Sequence, residues 1–103
     1  MKIIRSKEFS AEKAWDAKQI AVMNGITVRL HWSDKPYKWH TNEGQEVFVV
    51  LYGLVKMLYR VDGIEEESLL EVGDIFYASV GTEHVAHPLC ESRILVIESE
   101  DSV

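Results

Sequence analysis

The segment Tyr37-Lys38-Trp39-His40-Thr41-Asn42-Glu43-Gly44-Gln45-Glu46 runs into the apolar stretch Val47-Phe48-Val49-Val50-Leu51-Tyr52 and then Gly53. It gathers a histidine, an amide and a carboxylate around a chain reversal. Side chains alternate along a strand, so His40 and Asn42 share a face. Glu43-Gly44-Gln45 can turn the chain and set Glu46 on the neighbouring strand, where cross-strand partners lie about 5 Å apart. A second segment, Gly81-Thr82-Glu83-His84, offers another imidazole from a remote strand. Two imidazoles and one carboxylate, with positions left open, suit a first-row divalent ion such as iron or manganese. His40, Glu46 and His84 are therefore candidate metal ligands. Asn42 is either a weak, neutral fourth ligand or the holder of a water. The alternative is a metal-free pocket in which histidine and carboxylate satisfy each other.

Outward from this segment the chain reads as short strands. Residues 46–51, 55–60, 64–69, 75–78 and 93–98 have strand composition, and 37–41 a shorter version of it. Tyr52-Gly53, Asp62-Gly63, Val72-Gly73-Asp74 and Gly81 supply turns or bulges between them. Upstream, Ile26, Val28, Leu30 and Trp32 alternate with Thr27, Arg29 and His31, the rhythm of a strand with one buried face. Ser33-Asp34-Lys35-Pro36 is a turn. Residues 11–23 read instead as an amphipathic helix, with Ser10 as its cap, Ala14, Trp15, Ala17, Ala21 and Val22 on its apolar side and Asn24-Gly25 at its end. The expectation is one all-β domain over 1–103: a small antiparallel β-barrel at 26–98, preceded by a strand or helix extension at 1–25 carrying one N-terminal α-helix.

Composition narrows the function. Of 103 residues, 47% are hydrophobic and 27% charged, values of a folded globular chain. A net charge of −6 leaves no basic stripe for phosphates, so nucleic acid is not expected as a partner. No apolar run is long enough to span a bilayer, and Met1-Lys2-Ile3-Ile4-Arg5 lacks a signal-peptide core, so no membrane association and a cytoplasmic location are expected. Cys90 is the single cysteine, which excludes an internal disulfide and leaves no neighbour for nucleophilic chemistry. In the strand after Glu46 both faces are apolar, Phe48 and Val50 on one, Val47, Val49 and Leu51 on the other. The outer face should be covered by the early helix or by a second subunit. With the apolar Ile3-Ile4 pair available to a neighbour's sheet edge, a homodimer is expected.

These segments resemble the two motifs of the cupin superfamily, and the chain is similar to small single-domain cupins of the type-2 conserved-barrel kind. The first motif runs from a glycine through five residues to His-x-His, three or four residues, a glutamate, six residues and a glycine. His40, Glu46 and Gly53 fall at that spacing, with Asp34 at the opening glycine and Asn42 at the second histidine. In the second motif Gly73, Gly81 and His84 match, while Ser79 stands at the proline and Pro88 at the asparagine. The resemblance implies a double-stranded β-helix, or jelly roll, and a bound divalent metal, with iron, manganese, nickel and zinc all compatible. It also implies a small-molecule ligand and a mononuclear metal-dependent dioxygenase, isomerase or decarboxylase. A non-catalytic or metal-free small-ligand-binding cupin, and a metal-independent sugar isomerase or epimerase, are the competing readings. Strand parity puts Phe48, Val50, Met57, Tyr59 and Phe76 on the pocket wall. His87 should point away from His84, and His31 should be solvated or on the wall. Glu43 and Glu83 are turn carboxylates near the site.

Overall fold

The computed structural model describes residues 1–100. Two turns organise the chain ends of its sheets. At Asn24-Gly25 both residues have positive φ, 51° and 77°, and at Asp62-Gly63 the values are 52° and 78°. Two consecutive left-handed residues make the turn whose twist matches that of paired strands, so each closes a two-residue hairpin. The first hairpin joins β1 (Ala17–Met23) to β2 (Ile26–Ser33). The second joins β5 (Val55–Val61) to β6 (Ile64–Leu70).

The first hairpin overturns the α-helix expected at 11–23. That region holds a strand instead, and helical geometry upstream is confined to a 3-10 turn at Ser6–Glu8. Asn24-Gly25 was read as a helix end, but with β-branched and apolar residues on both sides the same pair is a hairpin signal. Its backbone partners decide the outcome: β1 pairs antiparallel with β2 from Ala17↔His31 to Met23↔Ile26, with one register shift between Gln19 and Ala21. Trp15, at φ 68°, also blocks a continuous helix.

The remaining strands are β3 (His40–Thr41), β4 (Glu46–Tyr52), β7 (Ile75–Ala78), β8 (Glu83–Pro88) and β9 (Ser92–Ser99). They form two antiparallel sheets, one in the order β1-β2-β9-β4-β7 and one in the order β3-β8-β5-β6. Phe48, Val50, Val55, Met57, Leu70, Ala86, Ile94 and Val96 form the buried core. Burying each such aliphatic or aromatic side chain contributes about 1.5–3 kcal/mol.

β2 turns its faces in an unexpected sense. Its register places Thr27 opposite Glu98, Arg29 opposite Val96 and His31 opposite Ile94, all interior residues of β9. The polar set Thr27, Arg29, His31 and Ser33 thus points inward, and the apolar set Ile26, Val28, Leu30 and Trp32 points out. Leu30 is nevertheless only 1% exposed. The amino-terminal segment helps cover this outer face: the 3-10 turn packs against β4, and Arg93 Nε donates to the Phe9 carbonyl at 2.7 Å. The chain's own amino terminus therefore takes part of the covering role expected of a helix.

Gly53 sits at the end of β4, where the pairing with β9 shifts register between Val50 and Tyr52. Its φ is +91°, and a Cβ there would overlap Ser92 Oγ and lie 2.6 Å from the Glu91 carbonyl. Both the conformation and the space require glycine. Gly53→Ala is expected to cost roughly 2–4 kcal/mol, from left-handed strain plus overpacking. Urea denaturation of the variant should show the midpoint fall with the slope unchanged.

Candidate metal centre and its cavity

The short β3 strand pairs with β8 so that His40 lies directly opposite His84. Glu46 opens β4 in the other sheet, and the three side chains meet in the interior between the sheets. The imidazole centroids of His40 and His84 are 4.2 Å apart, and His84 Nε2 lies 3.2 Å from Glu46 Oε1. One donor atom from each of the three residues falls within 4.8 Å of the others. His84 and Glu46 are buried, at 1% and 5% exposure, and His40 is half-buried.

Hydrogen bonds set the tautomers. His40 Nδ1 is 3.1 Å from the Lys38 carbonyl and His84 Nδ1 is 3.4 Å from that of Thr82. A carbonyl only accepts, so both Nδ1 atoms carry protons and the Nε2 atoms serve the centre. A second partner fixing the ring orientation is the usual arrangement behind a ligating histidine. Burial holds the His40 imidazole below its ordinary pKa, against the pull of the Lys38 carbonyl, which keeps the ring neutral with a free lone pair. The contact between His84 Nε2 and Glu46 needs a shared proton, and a cation among the three residues would take that proton's place. Donor types, tautomers and spacing all fit a small divalent ion.

Asn42 directly follows β3, which ends at Thr41. Its side chain is buried and donates from Nδ2 to the Ala78 carbonyl at 3.4 Å, while its backbone bonds Thr82 and Gly81. Asn42 pins the turn that leads into β8 and His84. His87 faces away from His84, as alternation requires, and sits opposite Lys56 of β5. Glu83 pairs with Arg60, whose guanidinium stacks on Trp39 at 3.9 Å. Cys90 is a free, exposed thiol.

A cavity of about 400 Å3 opens beside the centre. His40, Glu46 and His84 border it, with Glu43 and Lys38 also in the wall. Trp15, Tyr37, Phe48, Ala86 and Val96 supply its apolar surface, and Arg29, His31 and Glu98 its polar side. Of the expected wall residues, Phe48 lines the cavity, whereas Val50 and Met57 are fully buried in the core beneath it. Phe76 backs the His84 ring at 5.7 Å and is itself backed by Tyr59 at 5.6 Å. An unbroken series of aromatic contacts runs from Trp15 through Tyr37 to His40, at 5.3 Å and 5.5 Å.

Arg29, Trp15 and Glu98 had not been singled out from the sequence. The usable signal for Glu98 was a carboxylate in phase with the apolar Ile94 and Val96. It is 8% exposed and directly opposite Glu46. Burial, the hydrogen bond with Glu46 and the Glu46 charge together raise the Glu98 carboxyl to about 8, against the pull of Arg29. For Glu46 burial acts upward too, but the hydrogen bonds with His84 and Glu98 outweigh it and leave the carboxyl below its ordinary range. Two carboxyls thus share one proton, held on Glu98. The groups facing Glu98 are Glu46 and Arg29, with His84 and His40 beyond Glu46. The sign follows: the unfolded chain releases this proton near 4.5 and the folded protein near 8, so Glu98 lowers stability as pH rises between those values. Melting of the metal-free protein across that window should show a falling Tm, and Glu98→Gln should flatten the slope.

No protein-family model matches the chain, and no curated protein matches it in sequence. Solved structures do. A cupin-2 domain protein from Shewanella frigidimarina is 27% identical, with a TM-score of 0.76 over 86% of this chain and 84% of that one. A cupin superfamily protein from Desulfitobacterium hafniense gives a TM-score of 0.78 at 13% identity, over 93% of this chain and 87% of that one. The cobalt(II) form of HppE in complex with substrate gives 0.71 at 13% identity, over 82% of this chain but 52% of that one. Two antiparallel sheets, a His-Glu-His cluster between them and these neighbours agree with the motifs read from the sequence. The chain has the fold of a small cupin.

Proposed function

We propose that His40, Glu46 and His84 hold one divalent metal ion and that the protein binds or transforms a small molecule in the adjoining cavity. The observation that carries this reading is the convergence of three ligand side chains from β3, β4 and β8 onto one interior point. That HppE, a protein of the same fold, takes cobalt(II) supports it. When bound, such an ion supplies a Lewis acid or redox centre. Around it the protein's own residues set the conditions. The Lys38 and Thr82 carbonyls orient the two imidazoles, Glu98 holds a proton next to Glu46, and the apolar wall restricts water. A dioxygenase, an isomerase or a decarboxylase could each use that arrangement. A metal-free binding pocket is the second reading. It draws support from the His84–Glu46 hydrogen bond and from the absence, among the described residues, of buried side-chain polar atoms without a partner.

The chain is further proposed to act as a homodimer. Ile75 and Tyr77, 65% and 55% exposed on the β7 edge, extend the apolar outer face beyond the reach of the amino-terminal segment. Light scattering at micromolar concentration should return twice the 11.8 kDa chain mass, and the chain mass itself would contradict the proposal.

Calorimetric titration with zinc and with manganese tests the metal reading. The wild type should bind one ion per chain, and His40→Ala or His84→Ala should weaken binding by more than about a hundredfold, beyond the usual cost of losing an outer-shell partner. Asn42→Ala should leave affinity within about threefold and cost roughly 1 kcal/mol of stability through its hydrogen bond to Ala78. Identical, negligible heats for all four proteins would leave the metal-free pocket.

A further inference from the structure

The cavity wall contains a cation that no ion pair among the described residues neutralises. Arg29 lies on the inward face of β2, between Gln19 of β1 and Val96 of β9, and is half-buried. The ion pairs among the described residues join Lys56 to Glu67, Arg60 to Glu83, His84 to Glu46 and Arg93 to Glu91, and no carboxylate is within 4.0 Å of Arg29. A guanidinium is a planar fork of five donors that matches a carboxylate bidentately, and it keeps its charge at every ordinary pH. Position matters as much as chemistry. Arg29 and Phe48 flank the same residue of β9, Val96, and Glu46 is two residues along β4 from Phe48. With strands about 4.8 Å apart, some 10 Å separates the backbone of Arg29 from that of β4, a span that fits a small ligand.

The wall around Trp15 is unusual too. Trp15 keeps a left-handed backbone at φ 68°, which a bulky residue adopts only where its surroundings force it. Those surroundings are the Trp15 amide bonded to the Trp32 carbonyl at 2.9 Å, and the indole Nε1 donating to the Lys35 carbonyl at 2.8 Å. The strain fixes an aromatic plate over the cavity, edge-on to Tyr37. Glu43 and Glu46 in the same wall disfavour a doubly charged phosphate and favour a single negative charge.

We propose that the cavity takes a small monoanionic carboxylate with an apolar or aromatic body, its carboxylate held by Arg29 and its body against Trp15, Tyr37 and Phe48. This names the ligand class for the small-molecule reading above, and it uses a residue outside the candidate metal ligands.

Calorimetry on the full chain, zinc-loaded and metal-free, compares benzoate with benzamide, butyrate with butyramide, and phenyl phosphate with benzoate. At least one acid should bind roughly tenfold or more tightly than its amide, the size of one charge-assisted interaction. Arg29→Gln should remove that preference, Arg29→Lys should keep part of it, and zinc affinity should stay at the wild-type value in both. Failure of every acid to bind better than its amide in the wild type overturns the proposal without reference to any variant's folding. So does a preference that survives Arg29→Gln, which would place the carboxylate on the metal, or tighter binding of phenyl phosphate than of benzoate. An Arg29-dependent preference in a protein that takes up no zinc would sustain the carboxylate site and reject the metal centre.

Discussion

Burying the Glu46 carboxylate between two sheets is the constraint on which the rest of the interior depends. An isolated buried charge costs several kcal/mol even after relaxation, so it survives only with partners arranged around it. Here those partners come from three strands. His84 reaches Glu46 from β8, His40 stands beside His84 from β3, and Glu98 faces Glu46 from β9. Each needs its own support: the Lys38 and Thr82 carbonyls for the two histidines, and Phe76 behind the His84 ring. The polar interior is thus a connected network, and a divalent ion is the species that would neutralise its centre most directly.

The same constraint explains why β2 is turned inside out relative to its hydropathy. A strand whose inward residues are Thr27, Arg29, His31 and Ser33 serves a polar cavity, not a packed core. Its apolar residues can face outward because the amino-terminal segment lies across that side, fastened through Phe9 to Arg93. Packing proper is shifted to the other end of the barrel, where Val50, Val55, Met57 and Ile94 are each wholly buried. One end of the barrel holds the fold and the other holds the cavity.

Much of this was legible in the sequence because it depends on short-range patterns. Alternation and turn residues marked β4 through β7 and β9, and the spacing of His40, Glu46 and His84 marked the cluster. What was lost depends on context. Asn24-Gly25 supports a helix end or a hairpin equally well until pairing with β2 selects one. Arg29 was inconspicuous among scattered arginines because the inward sense of β2 is set by its partner β9, seventy residues away in the chain. Glu98 carried a local clue, a carboxylate in an apolar phase, but its partner Glu46 lies in a different strand.

The central claim, that three residues from separate strands form one metal centre, is tested most directly by elemental analysis of protein purified without chelator, beside His84→Ala prepared in the same way. The account predicts about one divalent first-row metal per chain in the wild type and a near-complete loss in the variant. Wild-type protein with no more metal than the variant, both folded, would contradict it.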